Sequence, residues 1–262
     1  MITTIAYKHK QYKVQLPESW NECSAKQLVQ LAALFNSGVE TDVAVIKALR
    51  ILLGKNVFAF AFIPADVKYR LISSIAWVFK SNGLTVNVLP KYNGLYGPKS
   101  ELSNTIFKEI HACEMYYRMH LDKVPDALDK LIAVLYREKK LFYNTKIDAA
   151  GDVRKAYNSN TVEHRAKQIA KWPQPVKDAI LLFYDGCREH FIASNPAVFS
   201  KDGGETESEQ FHGFFLMMRN LAADGKFGTF DKVENLPFYT ALYEASFLVN
   251  EAAQAAQQLE HE

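Results

Sequence analysis

The spacing of apolar residues is the feature of this sequence that most limits what it can fold into. Through most of the chain, apolar residues recur every three or four positions, which places them on one face of an α-helix. Three such stripes are Val67, Leu71, Ile75, Val78 and Phe79; Ile106, Ile110, Cys113, Tyr117 and Leu121; and Leu128, Leu131, Ile132, Leu135 and Tyr136. The pattern predicts a mainly α protein, a multi-helix globular domain, and 262 residues are enough to bury a sizeable core.

Two segments depart from the helical spacing and predict β-structure. Apolar and polar side chains alternate on both sides of a polar turn within the first sixteen residues, and Pro17 follows. This arrangement predicts a small N-terminal β-hairpin. Leu84, Val86 and Val88 also alternate with polar residues, so we expect a short strand there.

Helix boundaries are marked most clearly near the N-terminus. Ser24 is followed three residues later by Gln27, a capping-box pattern that predicts a helix from about Ala25 to Phe35. A second helix is expected from Thr41 through Leu53, and Gly54 is a suitable residue to end it.

The clearest change of composition lies near residue 200. Residues 201–210 combine two adjacent glycines with several carboxylates, which predicts an acidic, flexible linker. We therefore expect a hairpin plus main helical domain over residues 1–200, and a C-terminal helical extension over residues 211–262. The last dozen residues are rich in Ala and Gln and favour a helix.

The charge balance argues against nucleic-acid binding. The 31 basic and 29 acidic residues give a net charge of +2, whereas binding to nucleic acid depends largely on neutralising phosphates. The densest basic cluster is Arg137, Lys139 and Lys140, interrupted by Glu138. It is typical of the charged C-terminal turn of a helix.

The cysteines and the N-terminus predict a protein of the cytoplasm. Cys23, Cys113 and Cys187 are widely spaced and form no CxxC pair, so neither a zinc ribbon nor a disulfide framework is expected. Reduced thiols fit the cytosol. The sequence begins without the pattern of a signal peptide, and no window approaches 18 uninterrupted apolar residues, so we expect no membrane association.

One loop resembles a phosphate-binding motif but departs from it in two ways. Gly94–Ser100 lies between a predicted strand and a helix, as a P-loop does. A P-loop has four residues between its glycines and a lysine directly after the second. Here two residues separate Gly94 from Gly97, and Pro98, which has no backbone N–H, precedes Lys99. We therefore expect a structural turn.

Candidate metal ligands are too few for a metal centre. His111 and Glu114 share a helix face, and Glu209 and His212 form a single Glu-x-x-His. A di-iron bundle uses two such motifs together with two further glutamates on facing helices. The polar loop around Asp148, Gly151 and Asp152 lacks the alternating oxygen ligands of a calcium-binding loop. We expect no metal and no cofactor.

Nucleophilic catalysis has only one candidate pair. Cys187 precedes His190 by three residues on one predicted helix, but the apolar stripe assigns the cysteine to the core. No G-x-S-x-G motif occurs. The sequence therefore predicts a protein that binds others and is not an enzyme.

Five stretches of the chain carry a family resemblance: residues Leu16–Trp20, Asp129–Arg137, Arg165–Lys167, Ala179–Arg188 and Phe227–Glu234. Together they resemble a family of uncharacterised proteins encoded in phages and prophages of Bacteroidota-type bacteria. The layout is similar to that of phage tail assembly chaperones. The resemblance implies a helical, non-catalytic protein that coats the tape-measure protein before the tail tube polymerises.

The C-terminal helix supplies the candidate residues for partner binding, namely Phe238, Leu242, Tyr243 and Phe247. An equally favoured interpretation is that they pack on the main domain. The resemblance implies that the partner is a phage tail protein, either the tape measure or the tube, or another virion protein. A homo-oligomer is an additional hypothesis. The alternative function is that of a structural virion component, a tail-completion or connector protein. The expected location is then the virion and not the cytoplasm of the bacterial host cell.

Overall fold

A computed structural model of the chain describes residues 2–7, 10–54, 64–80, 82–144, 151–199 and 207–260. Eleven α-helices and two small antiparallel sheets lie within these ranges. The mainly α class predicted from the apolar stripes is confirmed. The elements are β1 (Ile2–Tyr7), β2 (Lys10–Gln15), α1 (Ala25–Phe35), α2 (Thr41–Leu53), α3 (Ala65–Ser74), β3 (Lys91–Tyr92), β4 (Leu95–Tyr96), α4 (Phe107–Leu121), α5 (Ala127–Leu135), α6 (Val162–Ile169), α7 (Gln174–Ser194), α8 (Pro196–Phe199), α9 (Glu207–Asp224), α10 (Phe230–Glu234) and α11 (Phe238–Glu260).

The chain divides into two compact units, and each is made of two separate stretches of sequence. Unit 1 comprises Met1–Leu89 and Trp172–Cys187, and unit 2 comprises Pro90–Lys171 and Arg188–Glu262. Helix α7 therefore gives its first residues to unit 1 and its last to unit 2.

The domain boundary expected at residues 201–210 stays a prediction. The two compact units have other bounds, and Arg188–Glu262 is assigned to unit 2. Most of the expected linker, residues 201–206, lies outside the described residues. Its last four residues, 207–210, are the first turn of α9.

In unit 1, β1 and β2 form an antiparallel pair, and α1 and α2 pack beside each other. The strand pairing runs from Ile2 with Gln15 to Tyr7 with Lys10. Helix α1 begins with a complete capping box. The Ser24 hydroxyl accepts the backbone N–H of Gln27, and the Gln27 side chain accepts the backbone N–H of Ser24.

The two helices of this pair are also joined by a hydrogen bond and by a shared apolar core. Gln27 Nε2 donates to the carbonyl oxygen of Leu52 at 2.9 Å, which satisfies one of the last carbonyls of α2. The buried apolar side chains of the pair are Leu28, Leu31, Ala32, Leu34, Ala48, Leu49, Leu52 and Leu53. Packing of these side chains stabilises the two helices more than their local helix propensity does.

The segment from Asn82 to Leu89 was expected to contain a strand, and within the described residues it forms none. Its backbone is held by side chains instead. Asn21 Oδ1 accepts the backbone N–H groups of Thr85 and Val86 at 2.8 and 2.9 Å. Asn82 Nδ2 donates to the carbonyl oxygen of Leu182 in α7 at 2.6 Å. Leu84 is fully buried, but among the strands that the structure describes none pairs with this segment.

Gly186 allows this segment to approach α7 closely. A Cβ atom at Gly186 would lie 2.8 Å from the backbone nitrogen of Leu84 and 2.9 Å from its carbonyl carbon. Real Cβ atoms are not found so near to backbone atoms, so any larger residue would displace the segment.

We predict that Gly186→Ala destabilises unit 1 by about 1–3 kcal/mol, the usual cost of overfilling a packed site. An alanine inside a helix normally adds up to about 1 kcal/mol, so the expected sign is opposite to helix propensity. Urea unfolding followed by tryptophan fluorescence suits this test, because Trp20, Trp77 and Trp172 all belong to unit 1. Gly83→Ala is the matched control, since a Cβ there would meet no atom within 4 Å. Equal stability of the two variants would contradict the close approach.

In unit 2, α5 packs between α4 and α6, with contacts to both. Helices α9, α10 and α11 pack on α4. The N-terminus of α4 is joined to the start of α11 by two backbone hydrogen bonds. Phe107 N donates to Leu236 O at 2.9 Å, and Phe238 N donates to Thr105 O at 3.0 Å. Because these bonds hold the starts of both helices together, α11 is fixed to unit 2 at its N-terminal end.

Candidate protein-binding surface

Helix α11 carries the four residues that the sequence singled out for partner binding, and the structure divides them into two pairs. Phe238 and Leu242 are each 1% exposed, whereas Tyr243 is 68% exposed and Phe247 is 45% exposed. On a helix with 3.6 residues per turn, positions 238 and 242 face the core, and positions 243 and 247 face the opposite side. The first pair belongs to the core, and only the second pair is accessible to a partner.

Phe238 is buried because it lies at the centre of a cluster of aromatic rings. Its ring centroid is 5.1 Å from that of Phe191 on α7 and 6.2 Å from that of Phe107 on α4. Phe214 on α9 is 6.4 Å away. Edge-to-face and tilted contacts of this kind stabilise a core beyond the area they bury. The cluster joins four helices of unit 2.

The apolar stripe of α11 continues beyond the core that it helps to form. Ala241 and Ala245 are buried, but Leu248 is only half-buried and Val249 is exposed. Every described side chain from Val249 to Gln258 is exposed. Helices of this length are marginal in water without packing partners, although alanine is the residue that favours them most. The C-terminal half of α11 is therefore an available helical surface.

An apolar groove lies between α9 and the middle turns of α11. Its volume is about 160 Å³. Leu216, Met217 and Leu221 line it from α9, and Ala245 and Val249 line it from α11. Leu216 is an exposed leucine at the rim. On the other face of α11, the ammonium of Lys226 lies 5.5 Å from the centroid of the Phe247 ring. Exposed apolar positions thus surround α11 on more than one side.

Unit 2 contains a buried ionic cluster that the sequence did not predict, formed by Glu109, Arg137, Asp152 and Arg154. Arg137 and Arg154 are fully buried, and Glu109 is nearly so. Arg137 makes a two-pronged contact with Glu109, with N–O distances of 2.8 and 3.1 Å. Arg154 Nη2 lies 3.3 Å from Glu109 and 2.8 Å from Asp152. The two guanidinium groups and two carboxylates make the cluster neutral, which is how buried charges are tolerated.

Backbone carbonyls complete the hydrogen bonding of Arg154. Its Nη1 donates to Leu135 O at 2.8 Å, and its Nη2 donates to Asn104 O at 3.1 Å. Burial raises the pKa of Glu109, and the two guanidinium groups oppose that rise. None of the four cavities described here is lined by the cluster. The cluster connects the loop that carries Asp152 and Arg154 to Glu109 of α4.

The position of Arg137 corrects a sequence prediction. The basic cluster around it was expected to form the charged last turn of a helix, but α5 ends at Leu135. Tyr136 is extended, and Arg137 exchanges backbone hydrogen bonds with Tyr96 of β4 at 2.8 and 3.0 Å. The arginine is buried because its partners Glu109 and Asp152 come from distant parts of the sequence, and no local pattern could indicate them.

The glycine-containing loop at residues 94–100 is a structural turn, as expected. Gly94 has a positive φ of 83° and closes the hairpin between β3 and β4. The backbone N–H of Gly97 donates to Pro90 O at 3.0 Å, and that of Lys99 donates to Asn104 Oδ1 at 2.8 Å. These donors are already used within the protein, so they do not form a phosphate cradle.

The candidate metal and nucleophile residues are not brought together into a site. Glu114 accepts Arg188 Nε at 3.0 Å through both oxygens. Cys187 is buried, with its sulfur 3.9 Å from Thr85 O, while His190 is exposed. No group of three or more His, Cys, Asp and Glu residues with metal-binding geometry occurs among the residues that the structure describes.

The remaining candidates are Glu209, His212, Asp148, Gly151 and Asp152. Glu209 and His212 belong to α9, but their side chains lie outside the described residues. Asp148 also lies outside them. Gly151 O accepts the Tyr143 hydroxyl at 3.4 Å, and Asp152 is a member of the ionic cluster. None of these observations adds a ligand set.

A polar cavity of about 630 Å³ in unit 2 is the largest of those described. It is lined by His111 and Lys108 of α4, by Tyr157, and by Glu234 of α10. Lys108 and Glu234 form an ion pair with an N–O distance of 3.2 Å. Burial lowers the pKa of His111 and raises that of Tyr157, so both side chains are neutral near pH 7. Both side chains can take part in hydrogen bonds in their neutral forms.

Comparison with known proteins adds no assignment: no family model, no curated protein and no solved structure matches this chain. Within the described ranges, no helix has both the length and the apolar composition needed to cross a lipid bilayer.

Proposed function

We propose that this protein is a non-catalytic factor of phage or prophage tail assembly, a chaperone that binds the tape-measure protein or another tail protein. The observation that carries the proposal is the exposed face of α11. There Tyr243 and Phe247, one helical turn apart, remain accessible on the side opposite the buried Phe238 and Leu242, and Val249 is exposed on another side of the helix. Exposed aromatic and aliphatic side chains at helical spacing are suited to helix-against-helix recognition.

A long helical tail protein has a matching requirement before it is assembled. Its apolar stripes must be kept from aggregating until the tube forms around it, and a binding surface made of apolar positions on helices meets that requirement. The family resemblance of the sequence supports the same role. A chaperone of this kind acts in the cytoplasm of the bacterial host cell, whereas a tail-completion or connector protein ends in the virion.

We predict that the double variant Tyr243→Ser/Phe247→Ser recovers about tenfold less tail protein than the unchanged chain. Aromatic residues at interface centres contribute enough binding energy for such a loss. The measurement is a pull-down from induced or infected cells, with the full chain as bait and quantitative mass spectrometry as readout.

Tyr69→Ser/Leu121→Ser is the matched control, because these side chains are 74% and 51% exposed and lie outside α11. It should recover as much tail protein as the unchanged chain. Equal losses in both double variants would attribute the effect to general surface hydrophobicity. Undiminished recovery with the α11 variant would exclude this helix as the binding surface.

Gel analysis of purified virions separates the chaperone from the structural alternative. A chaperone is expected in lysates and absent from finished particles, because it leaves when the tube polymerises. Detection of the chain in purified virions at a fixed ratio to the tail proteins would favour the tail-completion or connector role.

A further inference from the structure

Helices α1 and α2 of unit 1 leave an open groove between their solvent-facing sides. It consists of two adjoining depressions of about 430 and 450 Å³, which share Gln30, Arg50 and Ile51. Along α1 its lining residues extend from Lys26 to Leu34, and Ser37 lines it just beyond the helix. At 1.5 Å per residue the helical part is roughly 12 Å long, about two turns.

The charge of the groove has one sign only. Lys26, Lys47 and Arg50 line it, and its described lining residues include no carboxylate. None of these three cations has an ion pair or hydrogen bond with any residue in the described ranges. The whole chain carries a net charge of only +2, so this local excess does not follow from a basic composition. It is a specific positive rim.

The floor of the groove is apolar. Ala33 and Leu34 line it from α1, and Ile51 lines it from α2. Val43 and Ile46 are further exposed apolar residues of α2. Proteins that bind single-stranded nucleic acid combine cations with aromatic side chains on which bases stack, and no aromatic residue lines the described part of this groove.

We propose that the groove between α1 and α2 binds an acidic amphipathic helix of a partner protein. The apolar stripe of such a helix lies on Ala33, Leu34 and Ile51, and carboxylates on its two flanks face Lys26, Lys47 and Arg50. An apolar floor with a charged rim is the form that helix-in-groove recognition takes. This surface belongs to unit 1, so it is separate from the α11 surface of unit 2 and does not depend on the role proposed for that surface.

The test uses the full chain and a fluorescent synthetic peptide of about 18 residues, five helical turns, with leucines on one face and glutamates on both flanks. The same peptide with lysines in place of glutamates serves as the charge control. Fluorescence anisotropy should show saturable binding of the acidic peptide, weakened by salt, and no binding of the basic one. Equal binding of both peptides, or binding of neither, would overturn the proposal.

Charge reversal in the protein locates the site. Lys47→Glu/Arg50→Glu should weaken binding of the acidic peptide by at least about tenfold, a loss of roughly 1.4 kcal/mol. Lys80→Glu/Lys167→Glu changes the net charge by the same amount at exposed positions outside the groove and should have little effect. Similar weakening in both double variants would show that the peptide responds to the net charge of the protein and not to the groove, and would overturn the proposal.

A variant without any change of charge completes the test. Ala33→Trp fills the floor of the groove and should abolish peptide binding while leaving the far-UV circular dichroism unchanged. Retained binding in this variant contradicts docking in the groove. A duplex DNA probe that binds with the same dependence on Lys47 and Arg50 would assign the surface to nucleic acid and overturn the proposal.

Discussion

Glu109→Gln is expected to lower the free energy of unfolding by about 3–5 kcal/mol, the usual cost of breaking a buried ion pair by removing one partner. The substitution keeps the size of the side chain but removes the negative charge between two buried guanidinium groups. Arg137 then keeps only Asp152, at 3.2 Å, as a charged partner, and Arg154 must share it. Urea unfolding followed by far-UV circular dichroism measures the loss.

Glu163→Gln provides the control within the same unit. Glu163 pairs with Lys130 at 2.9 Å, but its own side chain is 66% exposed, so the same chemical change should cost less than about 1 kcal/mol. Salt adds a second distinction. High salt should shrink the small Glu163 effect and leave the Glu109 effect nearly unchanged, because buried pairs are weakly screened. A Glu109 effect as small as that of Glu163 would show that water reaches the cluster.

Phe238→Ala should lower the free energy of unfolding by about 3–5 kcal/mol, because it removes a ring that contacts aromatic side chains of three other helices. Phe247→Ala, on the same helix but 45% exposed, should change the unfolding free energy by less than about 0.5 kcal/mol. The same urea titration compares the two. Equal costs would mean that the helix is rotated relative to its assigned faces.

This pair of variants also decides how partner binding can be studied. Any substitution at Phe238 or Leu242 confuses loss of binding with loss of folding, because both side chains are in the core. Tyr243 and Phe247 can be changed without that confusion.

Local patterns in the sequence predicted the local structure well. The stripes predicted helices because a helix repeats within a few residues, and the Ser24–Gln27 pattern predicted the start of α1 because both halves of a capping box lie within one turn. The same argument explains one failure. The alternation at Leu84, Val86 and Val88 indicates a strand only if a partner strand exists. Here the side chain of Asn21, more than sixty residues away, accepts backbone N–H groups of this segment.

Features that depend on distant residues could not be predicted from one sequence. Arg137 meets Glu109 across 28 residues and Asp152 across 15, so its basic neighbours in the sequence were a misleading guide to its environment. On α11 the apolar period was visible, but whether a given position faces the core or a partner depends on where the neighbouring helices end. The burial of Phe238 and the exposure of Phe247 became clear only from the packing of α4, α7 and α9.

The division of α7 between the two units has a consequence for how the protein is made. During synthesis, residues 1–89 leave the ribosome before Trp172–Cys187 has been made. Unit 1 is therefore incomplete while residues 90–171 emerge. During that interval Asn82 lacks the Leu182 carbonyl, and the Leu84 backbone lacks the surface at Gly186. Neither unit can be expressed as one uninterrupted fragment. Separate production of unit 1 requires a new covalent connection from residue 89 to residue 172, or co-expression of the two pieces.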